Sequence, residues 1–189
     1  MSTPSGTQAL EHILSATAKE LEETQLFAIV DGARSELVVP ELKASGQPSS
    51  CLYDGDLPPA LALCAPYLVE LGKGDNAFAE WLLVEGWGDS RGIFLLSDKT
   101  RGLLRKHFRT FLMVKRGGKS VYFRYYDPRV LRRYLPTCNA EELEFVFGPV
   151  QAFLCEGETP ETILRYSRVE GELVTEEVAT GAPLPEEAP

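Results

Sequence analysis

The sequence predicts an α/β domain built on a mixed sheet with flanking amphipathic helices. Three observations carry this. Short apolar runs closed by turn residues alternate with stretches of helical period. The apolar runs, such as Leu26 to Val30, are uninterrupted, as in strands buried on both faces. The 189-residue chain is long enough to bury one core, as a single domain or two lobes sharing it. Residues 9–175 are expected to form the folded unit. Residues 1–8 and 176–189 are rich in Pro, small and, in the tail, acidic residues, and are expected to be disordered.

The elements follow in order. Leu10, Ile13, Leu14, Thr17 and Leu21 share one helical face, and a strand over Leu26–Val30 closes at Asp31-Gly32. A short helix is expected near 36–44, a strand at Cys51–Tyr53, and a Pro-opened helix over Leu57–Ala65. Tyr67–Leu71 reads as the next strand. Asn76–Glu85 reads as a helix closed by a left-handed cap at Gly86. Ile93–Leu96 returns to strand, after which Ser97 or Asp98 is placed to cap a helix over 99–110.

In that helix Leu103, Leu104, His107, Phe108 and Phe111 share one arc, opposite Lys99, Arg101, Arg105, Lys106 and Arg109. Two strand-like stretches flank Arg116-Gly117-Gly118-Lys119, a hairpin signal. Asp127 as N-cap and Pro128 at the first helical position open a helix through Tyr134, with Val130, Leu131, Tyr134 and Leu135 opposite Arg129, Arg132 and Arg133. Asn139 and Glu142 form a capping-box pattern for a helix to Phe147, and 152–155 and 163–174 read as late strands turning at Gly171.

Charge is strongly segregated. Residues 1–89 hold 4 basic and 14 acidic side chains, residues 90–140 hold 13 and 2, and residues 141–189 hold 2 and 12, giving −10, +11 and −10. The middle segment is therefore suited to an acidic partner, with Arg101, Arg105, Arg109, Arg124, Arg129, Arg132 and Arg133 as the partner-binding candidates. Both basic arcs are expected to face solvent. The alternative is that the basic middle neutralises its own acidic flanks.

Catalytic and cofactor motifs are missing from the sequence. His12 and His107 are the two histidines, and His107 lies on an apolar arc, where a core or boundary role is the ordinary one. Gly118-Lys119-Ser120 fails as a phosphate loop, because Met113 stands where a glycine is needed and a strand follows in place of a helix. Gly86-Trp87-Gly88 fails the dinucleotide pattern at Arg91. Asp31, Asp54 and Asp56 sit in ordinary turn sequences. Cys51, Cys64, Cys138 and Cys155 have no paired spacing and are expected to be buried reduced thiols, with no metal site. No apolar run approaches ~18 residues, so a cytoplasmic protein with no membrane partner is expected.

Several segments together resemble one family. They are Leu26–Ala33, Cys51–Gly55, Ala65–Leu71, Trp81–Leu83 with Gly86–Gly88, Gly92–Leu95, Phe123–Leu131, Leu135–Cys138 and Phe147–Val150. In order and spacing they resemble the bacterial type VI secretion effector adaptors, or Tap/TEC chaperones, over about residues 26–155. That resemblance implies a non-enzymatic cytoplasmic loader without cofactor, which binds one toxic effector and delivers it to the C-terminal region of the VgrG spike. Some relatives carry a longer C-terminal extension; if that extension contributes to effector choice, this chain is expected to choose with its core domain or its short tail. From the residues alone, the runner-up is a nucleic-acid-binding α/β module using the Arg/Lys and Phe/Tyr of residues 90–140, which the net charge of −9 disfavours.

Overall fold

The computed structural model of the protein describes residues 23–72 and 76–180. Its centre is a seven-stranded sheet of spatial order β2-β3-β1-β4-β7-β8-β9. These strands are β1 (Gln25–Asp31), β2 (Ser49–Cys51), β3 (Pro66–Gly72), β4 (Gly92–Ser97), β7 (Ala152–Glu156), β8 (Thr162–Val169) and β9 (Glu172–Ala179). A separate hairpin pairs β5 (Met113–Arg116) with β6 (Lys119–Tyr122), and Gly117 and Gly118 supply the positive φ its turn needs. The helices are α1 (Val38–Ser45), α2 (Pro59–Leu63), α3 (Ala77–Val84), α4 (Arg101–Arg109), α5 (Pro128–Tyr134) and α6 (Ala140–Phe147), with a 3-10 turn at Leu135–Thr137.

The α/β class is the expected one. Every ladder of the sheet is antiparallel, whereas a sheet of both directions was expected. An apolar run reports that both faces are covered and carries no record of strand direction. The cover itself follows the strand period. In β1, Phe27 and Ile29 point into one core and Leu26, Ala28 and Val30 into the other. The first core is completed by Leu104 and Phe108 of α4, Leu131 of α5, and Leu143, Val146 and Phe147 of α6. The second is completed by Val38 and Leu42 of α1 and Phe78, Ala79, Leu82 and Leu83 of α3. The result is three layers, with α4, α5 and α6 on one side of the sheet and α1 and α3 on the other.

Several local expectations are corrected. Thr100, not Ser97 or Asp98, caps α4, because Ser97 is fully buried and its hydroxyl is taken up by the carbonyl of Pro149 at 2.7 Å. Gly86 is not left-handed. That conformation falls at Gly88 (φ 90°), and Gly86 is required because a Cβ there would meet the Leu82 carbonyl at 2.4 Å. β2 lies two residues earlier than expected, since Ser49, Ser50 and Cys51 are the residues in register with Val69, Leu68 and Tyr67. Only Cys155 is a buried thiol, pushed up to about 12 by desolvation. Cys51 and Cys138 are half-buried and Cys64 is exposed, because the short α2 that precedes Cys64 buries none of its residues. β9 runs on to Ala179, held by pairing with Thr162, so residues 176–179 are strand where tail was expected. The first amphipathic helix, residues 1–8 and residues 181–189 lie outside the described residues.

Candidate functional site

In the aromatic segment before α5, Tyr125 and Tyr126 are core and not recognition surface. Tyr125 and Tyr126 are buried in the turn that leads into the helix. The Tyr125 ring stacks on Phe108 at 5.6 Å and its hydroxyl donates to the Phe108 carbonyl at 3.1 Å. Burial drives both phenols well above their ordinary range. This packing fixes where α5 begins. Asp127 then caps it, accepting from the Arg129 amide at 3.0 Å, and Pro128 occupies the first turn.

With Leu131 and Leu135 anchored in the core, the other side of α5 faces outward. Arg129 is exposed and reaches back to Asp127, Nε to Oδ1 at 2.9 Å and Nη2 to Oδ2 at 2.6 Å. Burial works to raise the Asp127 carboxyl, but the side-chain and backbone donors of Arg129 outweigh it and hold the group below the usual carboxylate range. Arg132 is half-buried and donates to the Glu156 carbonyl at 2.8 Å. Arg133 is exposed and makes no bond to the described residues. These three arginines, with Phe123, Val130, Tyr134 and Glu158, line an open groove of about 1260 Å³. Desolvation, aided by a hydrogen bond with Cys138, pushes the Tyr134 phenol up to about 12, so it stays a neutral donor at physiological pH.

The other four candidates are used inside the chain. Arg101, Arg105 and Arg109 of α4 recur every four residues and were expected to face solvent. Instead, Arg101 donates to the Ser49 carbonyl at 2.7 Å and to the Ser50 hydroxyl. Arg105 donates to the carbonyls of Cys51 at 2.8 Å and Tyr53 at 3.4 Å, and Arg109 pairs with Asp54 at 2.6 Å. The row staples α4 to β2 and the loop after it. Arg124 pairs with Asp31, which is 1% exposed and also caps its own turn through the Ala33 amide. All these partners belong to the acidic first segment, so for α4 and Arg124 the intramolecular alternative is what the structure shows.

His107 is a boundary residue. Its Nε2 meets the Val146 carbonyl at 2.9 Å, its ring packs edge-on against Phe108 and Phe111, and a Cβ at Gly148 would lie 2.5 Å from it. Burial lowers its basicity. His12 lies outside the described residues. Among the described residues no cluster of three or more His, Cys, Asp or Glu is placed to hold a metal ion, and no helix is long and apolar enough to cross a membrane. Glu158 on the β7–β8 loop, and the carbonyl of Glu156 that anchors Arg132, were not foreseen from sequence. They lie more than 20 residues from α5 and share no local pattern with it.

Fold and groove thus define a three-layer α/β domain with a cation-lined surface groove at one edge of its helical layer. Residues 26–144 match the family described as a domain of unknown function (DUF4123), and the chain belongs to that family. The family is associated with type VI secretion effector adaptors. The match spans β1 through most of α6, including the groove arginines, the α4 arginine row and Arg124; β7, β8 and β9 lie beyond it. No curated protein and no solved structure matches the chain.

Proposed function

We propose that this protein is a non-catalytic adaptor that binds a type VI secretion effector in the cytoplasm and delivers it to the C-terminal region of the VgrG spike. Family membership supports the secretion context. The observation that carries the binding role is Arg133. It is an exposed arginine without a partner among the described residues, beside the exposed Arg129, on a groove in a chain of net charge −9. An acidic protein that leaves this cation unpaired among its described residues at a concave surface favours an acidic segment there. Phe123 and Tyr134 supply apolar contact on the same wall, their rings 4.6 Å apart.

The net charge of −9 counts against a nucleic-acid partner. An adaptor that binds only the folded effector raises the effector's stability by ~2.7 kcal/mol when free adaptor stands at 100 times its dissociation constant. The test is effector abundance and effector co-purification with the spike, in cells with and without this protein. The adaptor reading predicts that both fall in its absence; normal levels of both would overturn it. A steep salt dependence of binding to a generic duplex would favour nucleic acid instead.

A further inference from the structure

The two edges of the central sheet are treated in opposite ways. β2, at one edge, is only three residues long, and its Ser49 and Cys51 carbonyls accept from Arg101 and Arg105. That edge is closed to further pairing, as edge strands usually are. β9, at the other edge, is eight residues long and, among the described residues, pairs on one side only, with β8. It contains no proline.

The hairpin register identifies which β9 backbone groups are free. Glu170 and Gly171 both take positive φ (53° and 88°), as a two-residue type I′ turn requires, so the flanking pair Val169 and Glu172 exchanges hydrogen bonds. Bonding then alternates, and Ile163, Arg165, Ser167 and Val169 bond toward β9. Two bonds agree with this parity. The Gly157 amide donates to the Thr162 carbonyl at 2.8 Å on the β7 side, and the Thr180 amide to the Glu161 carbonyl at 2.6 Å on the β9 side. Leu173, Thr175 and Glu177 therefore direct their N–H and C=O groups away from the sheet.

Beside these residues is a groove of about 470 Å³, lined by Leu173 and Thr175 of β9 and by Leu135, Pro136, Cys138 and Leu143 from the helical layer. Its rims are acidic. α6 carries exposed Glu141, Glu142 and Glu144, and the β9 hairpin carries exposed Glu170, Glu172 and Glu177, while Glu176 alternates to the other face of the strand and pairs with Arg165 at 2.6 Å. β9 itself has no Lys or Arg.

We infer that the β9 edge is a docking site for a cationic β-strand of a partner protein, which extends the sheet by backbone pairing at Leu173, Thr175 and Glu177 and drops alternate apolar side chains into the adjoining groove. Backbone pairing supplies affinity in such strand addition, and side-chain alternation supplies selectivity. A second copy pairing β9 to β9 would bring three carboxylates against three, so charge favours a basic strand. This edge lies outside the family match, and its use is independent of the adaptor reading.

The probe is a capped octapeptide of alternating Val and Lys, with a block-ordered Val/Lys peptide of equal charge as control. Binding is followed by fluorescence anisotropy, and amide hydrogen exchange is followed in the full chain. The alternating peptide is expected to slow exchange at Leu173, Thr175 and Glu177 and to bind at least about tenfold tighter than the block peptide. Thr175→Pro removes one outward N–H and no ladder bond, and should weaken binding about tenfold at an unchanged urea midpoint. If that variant loses stability, Glu172→Lys with Glu177→Lys, both at exposed positions, should weaken binding in its place. Four results would each overturn the inference: no binding of the alternating peptide; equal binding of the two peptides; slow exchange at these amides before peptide is added, showing that the chain covers its own edge; or peptide-independent self-association abolished by Thr175→Pro.

Discussion

α4 and α5 follow the same plan in sequence, an apolar arc backed by arginines at helical spacing, yet their cations do different work. On α4, Arg101, Arg105 and Arg109 are spent on the carbonyls and carboxylates of β2 and its loop. On α5, among the described residues, only Arg132 is tied to another element, Arg129 folds back onto its own cap, and Arg133 has no partner. The difference lies in what stands opposite. An edge strand with unpaired carbonyls faces α4, while an open groove faces α5. Patterned charge therefore states that a helix has a polar side, and the neighbouring element decides whether that side is a staple or a surface.

The apolar sides should behave alike. Phe108→Ala in α4 should cost about 3–5 kcal/mol and Leu131→Ala in α5 about 2–5 kcal/mol, because both side chains are fully buried in one core. Urea denaturation of the two variants checks this, and a small loss for either would detach that helix from the shared core.

The polar sides should diverge. Arg105→Ala removes a charged donor from two carbonyls and should lower stability by about 1–2 kcal/mol, while Arg133→Ala should change it by less than about 0.5 kcal/mol. Equal losses would erase the distinction between staple and surface. At the head of α5, Asp127→Ala should cost on the order of 1 kcal/mol through the lost cap. Because the Asp127 carboxyl is held below its ordinary value of 3.8, its stabilisation is complete above that pH and is lost as pH falls through the lowered value; Asp127→Asn should flatten that acid limb.

The smallest effect concerns the C-terminal half of α4. His107 is less basic folded than at its ordinary 6.5, so the unfolded chain takes up its proton first and stability should decline as pH drops below 6.5 toward the folded value. His107→Gln, followed by thermal midpoint against pH, should remove that decline.

Most of the frame was legible because it rests on local rules. The uninterrupted run Leu26–Val30, the Asp127-Pro128 helix start and the Asn139/Glu142 capping box each appear as read. Strand direction was not, because two-sided burial leaves the same apolar run in either sense. The site was legible as a set of arginines and not as a surface. Arg101 and Arg105 find their acceptors more than 50 residues earlier in the chain, and Glu158 meets α5 only through the β7–β8 loop. The nucleic-acid alternative relied on the Phe and Tyr of residues 90–140 as stacking surface, yet Tyr125 and Tyr126 are core, since nothing local distinguishes a ring that stacks on Phe108 from one awaiting a partner.

The most direct test of α5 as the working surface is charge reversal of Arg129, Arg132 and Arg133 to Glu, measured as capture of a co-expressed effector from a neighbouring open reading frame. Since Arg132 has one backbone bond to lose, the variant is compared at matched folded fraction by thermal melt. The account predicts that effector capture is lost by a folded α5 variant and that the corresponding reversal of Arg101, Arg105 and Arg109 lowers stability first. A folded α5 variant that captures effector as well as the parent protein would contradict it.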